Sequence, residues 1–154
     1  MTDDVASQID TDGPLERNKR ASRRTLERAF NEQDLTALDD GITPDAMIHD
    51  PGTDFRGPAE LRHGLQVLFQ AFPDFHFTLL DQVAEGDRVV LRYRGQGTHR
   101  GEFLGIPATG RAIDYTGMIL LRMADGKIAE FWAQPDQLGL LKQLGARVTS
   151  STET

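Results

Sequence analysis

The sequence predicts an α+β domain in which helices cover one face of a curved antiparallel sheet. Three observations predict it. Apolar residues in the first half recur at helical spacing, as in Leu61, Leu65, Leu68 and Phe72. From Phe75 the period changes to alternation, with Phe75, Phe77 and Leu79 on one face and His76 and Thr78 on the other. Asp125-Gly126, a pair that tolerates positive φ, separates two further strand-like runs and predicts a hairpin. At 154 residues the chain fits one domain able to bury its own core.

In chain order, residues 1–16 hold Asp3, Asp4, Asp10, Asp12 and Glu16, no base and scattered apolar side chains, and are expected to be a disordered acidic tail. A helix follows over about 15–31, from the spacing of Ala21, Leu26, Ala29 and Phe30; its arginines and lysine are read as a solvated charged face, the other reading being a docking surface for an anion or for the acidic tail. Asp34 before Leu35 and Leu38 predicts a short capped helix ending near Gly41, and Ala46–Asp50 a short strand stopped by Pro51-Gly52. Pro58 suits a first helical turn, and Pro73-Asp74 stops the helix it opens. Strands are predicted from Phe75 to about Ala84, Arg88 to His99, Ala112 to Met123 and Lys127 to Ala133, with a glycine-rich loop over 101–110. Leu138, Leu141 and Leu144 mark a C-terminal helix ended by Gly145, and residues 147–154 are expected to be a disordered tail. The folded domain is thus expected over 17–146.

Met118 to Leu121 are consecutive apolar residues in a strand, so both sheet faces are expected to be covered there. Helices cover one. A second copy of the chain is the expected cover of the other, which predicts a homodimer packed through the sheet.

The net charge of −7 argues against nucleic acid, whose binding needs clustered cations. Without cysteine there is no disulfide, thiolate nucleophile or Cys-ligated metal. No run reaches the roughly 18 apolar residues of a membrane span, and no leader-like N-terminus is read, so neither a membrane nor export is expected and the compartment is expected to be cytoplasmic. The four histidines show no metal-ligand spacing, and no metal is assigned.

The run Gly97–Arg111, together with His49-Asp50-Pro51-Gly52, Ala71–Asp74, Asp125–Ile128 and Gly139–Gly145, resembles the SnoaL-like polyketide cyclase (ester cyclase) family of the nuclear transport factor two-like superfamily. The resemblance covers about residues 20–146 in order and spacing. It implies a conical α+β barrel, commonly dimeric, around one apolar pocket, and no metal or organic cofactor. It also implies an acid/base aspartate near the end of the last strand and a histidine on the preceding one. By position these fall on Ala133 and Ile119, neither of which can move a proton.

Asp136, the nearest carboxylate, and His99 are therefore the candidate catalytic residues. Each has a structural reading beside it: Asp136 as the N-cap of the last helix, His99 as a tie within its loop. The expected pocket residues are His49, Asp50, Phe30, Leu68, Phe72, Tyr93, Ile119, Phe131, Trp132 and Ala133. Two functions follow: a cofactor-free enzyme acting on a small, mostly apolar carbonyl or polyketide-like substrate, or a non-catalytic binder of an apolar small molecule.

Overall fold

Pro14, whose missing N–H costs nothing in a first turn, opens α1 (Pro14–Asn31). The computed structural model describes residues 12–150. Parts of both expected tails lie outside them, and Pro14–Glu16, placed in the acidic tail by composition, belong to this helix. Its buried stripe is Ser22, Thr25, Leu26 and Ala29. At its end the Asn31 amide pairs with the backbone of Phe77, giving Nδ2–H to the carbonyl at 2.8 Å and accepting the N–H at 2.7 Å. The following short helix, α2 (Thr36–Gly41), is preceded by Asp34, whose carboxylate accepts the Thr36 N–H at 3.2 Å.

Strand β1 (Ile42–Asp50) begins directly after α2 and is longer than the expected segment. Gly52, at φ 84°, turns the chain into β2 (Thr53–Arg56), an unexpected strand because its polar residues carry no alternation of hydrophobicity. Helix α3 (Pro58–Ala71) leads to β3 (His76–Glu85), β4 (Arg88–Thr98), β5 (Ala112–Ala124) and β6 (Lys127–Pro135). Asp125 and Gly126 both have positive φ, 50° and 77°, as a two-residue hairpin turn requires. The chain closes with α4 (Gln137–Gln143), whose buried residues are Leu140 and the following Leu144; Leu138, one of the leucines that marked the helix, is 50% exposed.

The α+β class and the curved sheet are as expected, but the pairing is not all antiparallel and the sheet is not closed. Its order is β2-β1-β6-β5-β4-β3, and β1 runs parallel to β6. That pairing joins segments some eighty residues apart, where no turn signal can announce it. Bulges between Leu79 and Asp81 and between Arg122 and Met123 add twist.

Register sorts the faces. Ile48, Phe131, Leu121 and Val89 lie in one row, buried under the helices. The neighbouring row, His49, Trp132, Leu120, Val90 and Val83, lies on the outer face. Within one chain the two-faced burial expected at Met118–Leu121 is therefore met on one side only: Ile119 and Leu121 are buried, whereas Met118 is 52% exposed. Among the described residues no helix is long and apolar enough to cross a membrane.

Candidate functional site

A cavity of about 330 Å³ lies between the inner sheet face and the helices. Leu61, Gly64, Leu65, Val67 and Leu68 reach it from α3, Phe30 from α1, and Phe103 and Leu104 from the glycine-rich loop. The sheet contributes Asp50, Tyr93, Tyr115, Ile119, Phe131, Ala133 and Pro135, and Gln137 and Leu140 complete the wall. Ile119 and Ala133 are direct partners across the β5–β6 ladder, so the two positions to which the acid/base pair was mapped share one patch of wall, and it is hydrocarbon.

Asp50 supplies the one carboxyl among the described lining residues, and no Lys, Arg or His lines the cavity. It closes β1 at the cavity mouth, where desolvation by the surrounding apolar wall pushes its carboxyl above the ordinary range. Two phenols face the same space. Burial raises Tyr93 far above a free phenol, with smaller contributions from Tyr115 and the Asp50 charge, and pushes Tyr115 up to about 12. Both stay protonated and can donate hydrogen bonds.

Of the expected pocket residues, Phe30, Leu68, Asp50, Tyr93, Ile119, Phe131 and Ala133 line the cavity. His49, Trp132 and Phe72 do not. His49 and Trp132 each sit one residue from a lining neighbour, and the pleat sends them to the outer face. There the His49 ring stacks on Trp132 at 5.1 Å and bonds Asp54 through Nδ1 at 3.0 Å and Glu130 through Nε2 at 2.8 Å. The Arg88 guanidinium lies 5.3 Å from the centroid of the same Trp132. Phe72 is fully buried beyond the wall, against His99 at 5.4 Å and Phe103 at 5.2 Å.

Neither candidate catalytic residue lines the cavity. The Asp136 carboxylate accepts the Gly139 N–H at 2.9 Å and caps α4, whose first residue, Gln137, takes the place on the wall. His99 is fully buried behind Phe72. Its Nδ1 accepts the Thr109 N–H at 3.2 Å and meets the Thr109 hydroxyl at 2.9 Å, while its backbone bonds Arg111 and Gly110, so it ties the two ends of the loop carrying Phe103 and Leu104. An acceptor Nδ1 places the proton on Nε2, which has no hydrogen-bond partner among the described residues.

Tyr115 and the loop residues were missed by sequence reasoning. The loop pair has no periodicity to reveal it. For Tyr115 a signal existed: Tyr-x-Gly occurs at both 93–95 and 115–117.

The chain is similar in sequence and fold to known proteins. The model of the family described as SnoaL-like polyketide cyclase matches residues 20–144. The chain is 33% identical over 105 residues to the aklanonic acid methyl ester cyclase DnrD of Streptomyces peucetius, covering 68% of this chain and 71% of that one. It is 30% identical over 125 residues to the nogalonic acid methyl ester cyclase of Streptomyces nogalater, covering 72% and 91%. The crystal structure of IdmH from Streptomyces antibioticus superposes with a TM-score of 0.72 at 36% identity, covering 83% of this chain and 99% of that one.

Proposed function

The chain belongs to the SnoaL-like polyketide cyclase family, and on that premise we propose that it is a cofactor-free cyclase for a neutral, mostly apolar polyketide-like carbonyl compound, with Asp50 as its proton-handling group. The observation that carries the reading is the one carboxyl at the mouth of a mostly apolar cavity, on a residue that is exposed yet partly desolvated by that wall, with no cation among the described lining residues. Partial desolvation makes the Asp50 carboxylate a stronger base than a fully hydrated one, and the missing cation disfavours substrates that are already anionic.

The chemistry is an intramolecular aldol closure. Asp50 takes the proton from the carbon between two carbonyls, leaving an enolate. The enolate carbon attacks a further carbonyl carbon elsewhere in the same molecule, forming one C–C bond while that C=O π bond becomes an alkoxide. The alkoxide recovers the proton from Asp50. Product and substrate are isomers, and no oxidant or leaving group is needed.

The test is incubation with aklanonic acid methyl ester, the compound in a relative's name, followed by chromatography and mass spectrometry. A product of unchanged mass is expected, and Asp50→Asn should slow its formation by at least ~10²-fold, the lower end of general acid/base contributions. Undiminished turnover in Asp50→Asn would remove Asp50 from the mechanism.

A second reading, a non-catalytic binder of an apolar molecule, is favoured by the hydrocarbon at Ile119 and Ala133. A compound that raises the melting temperature by linkage and is recovered unaltered supports it over catalysis.

For the outer sheet face the proposed partner is a second copy. Val83, Val90, Leu120 and Trp132 form an apolar row across four strands, bordered by charges already neutralised within the chain, Arg92 with Asp81 at 2.6 Å and Arg122 with Glu130 at 3.4 Å. Such a face offers hydrophobic area without like-charge repulsion between identical copies.

A further inference from the structure

Tyr-x-Gly occurs on two neighbouring strands, as Tyr93-Arg94-Gly95 on β4 and Tyr115-Thr116-Gly117 on β5. Antiparallel register sets Tyr93 opposite Gly117 and Tyr115 opposite Gly95. A Cβ on Gly117 would stand 2.5 Å from the Tyr93 hydroxyl oxygen, and one on Gly95 2.8 Å from the Tyr115 ring. Each ring therefore lies across the bare backbone of the opposing strand, a space any side chain there would fill. The two rings meet edge to face at 6.3 Å, and Phe77 stacks on Tyr93 at 5.0 Å while Phe75 stands 6.5 Å from Tyr115.

Packing alone does not explain the hydroxyls. Two phenylalanines would fill the same space, and a buried hydroxyl costs free energy unless it finds a partner. Tyr93 and Tyr115 interact with each other and both line the cavity, which otherwise presents hydrocarbon beyond Asp50 and the Gln137 amide.

We propose that the crossed pair Tyr93 and Tyr115, seated on Gly117 and Gly95, is the oxygen-recognising wall of the cavity and selects ligands carrying an enolic or phenolic oxygen over apolar molecules of the same shape. The inference rests on the reading of this cavity as the ligand site. It names Tyr93 and Tyr115 as ligand-contacting residues, and Gly95 and Gly117 as positioning residues. In an aldol closure the Tyr115 hydroxyl, which accepts from Tyr93 and is polarised by it, would donate to the enolate oxygen as its charge develops.

The test compares 2-naphthol with 2-methylnaphthalene, near-isosteres differing in the oxygen, by calorimetric titration of the full chain. Wild type is expected to bind 2-naphthol about tenfold more tightly, the scale of one net hydrogen bond. Tyr93→Phe and Tyr115→Phe should each reduce that ratio and the double variant should bring it to about one, with the affinity for 2-methylnaphthalene unchanged. Gly117→Ala, which displaces the Tyr93 hydroxyl without deleting it, should lower the ratio as well. A ratio unmoved in a double variant that keeps the wild-type near-UV circular dichroism overturns the tyrosine assignment and leaves the cavity reading standing. Binding of neither probe to wild type overturns both.

Discussion

Introducing ionisable groups at Ile119 and Ala133 tests the geometry of the cavity wall without any substrate. The two residues are register partners on β5 and β6 and both line the cavity. Ile119 is 2% exposed, so Ile119→His forfeits about 1.5–3 kcal/mol of side-chain burial. Leaving the imidazole without a partner there adds about 1–3 kcal/mol. Ala133→Asp deletes little but places an unpaired carboxyl beside hydrocarbon, for about 1–3 kcal/mol. Directly opposed Cβ atoms stand about 4.5–5.5 Å apart, close enough for imidazole and carboxylate to bond in the double variant. The double variant should therefore be more stable than the sum of the two single losses by about 1–3 kcal/mol, the range of coupled neighbours. Urea unfolding of all four proteins at pH 7 measures this coupling. Additivity within about 0.5 kcal/mol would refute the shared wall position.

Asp136→Ala should cost about 0.5–2 kcal/mol in urea unfolding, the usual loss of an N-cap, while leaving 2-naphthol binding intact because Asp136 is off the cavity wall. The outer-face cluster predicts a pH window. The hydrogen bond to Glu130, and then that to Asp54, raises His49, and the His49 bond lowers Glu130. The histidine contribution is present in full below its unfolded value of 6.5 and is lost as pH rises through the raised folded value. The glutamate contribution is present above 4.5 and is lost as pH falls through the lowered one. Comparing wild type with His49→Gln from pH 4 to 9, the difference in urea midpoint should be largest between these limits and shrink toward pH 9; a difference independent of pH would refute the pairing. Leu120→Lys, on the outer row, should convert a dimer to monomer by light scattering, and an unchanged mass would remove that face as the interface.

Much of this architecture was legible in local pattern. Alternation at Phe75–Leu79 and Val89–Tyr93, the Asp125-Gly126 turn and Pro58 at a helix start are short-range signals with short-range causes, and those elements stand where the signals put them, whereas Pro14, taken with the acidic tail, opens a helix. The pocket was legible in part. Leu68, Ile119 and Phe131 follow from which face is apolar, but treating Phe131, Trp132 and Ala133 as one patch ignored the pleat, which sends Trp132 outward.

Residue chemistry and period by themselves determined the class of fold and the order of its elements, while the apolar chamber and the positions Ile119 and Ala133 on its wall were expected only from the family resemblance. The tertiary structure decided which polar groups face that chamber. The parallel return of β6 beside β1 sets the register of Asp50 and His49, and with it which of two adjacent titratable residues looks inward. The pairing of β4 with β5 brings each tyrosine over the other strand's glycine. Both depend on contacts between segments distant in the chain, whose alignment is set by cooperative burial of the whole inner face and leaves no local mark.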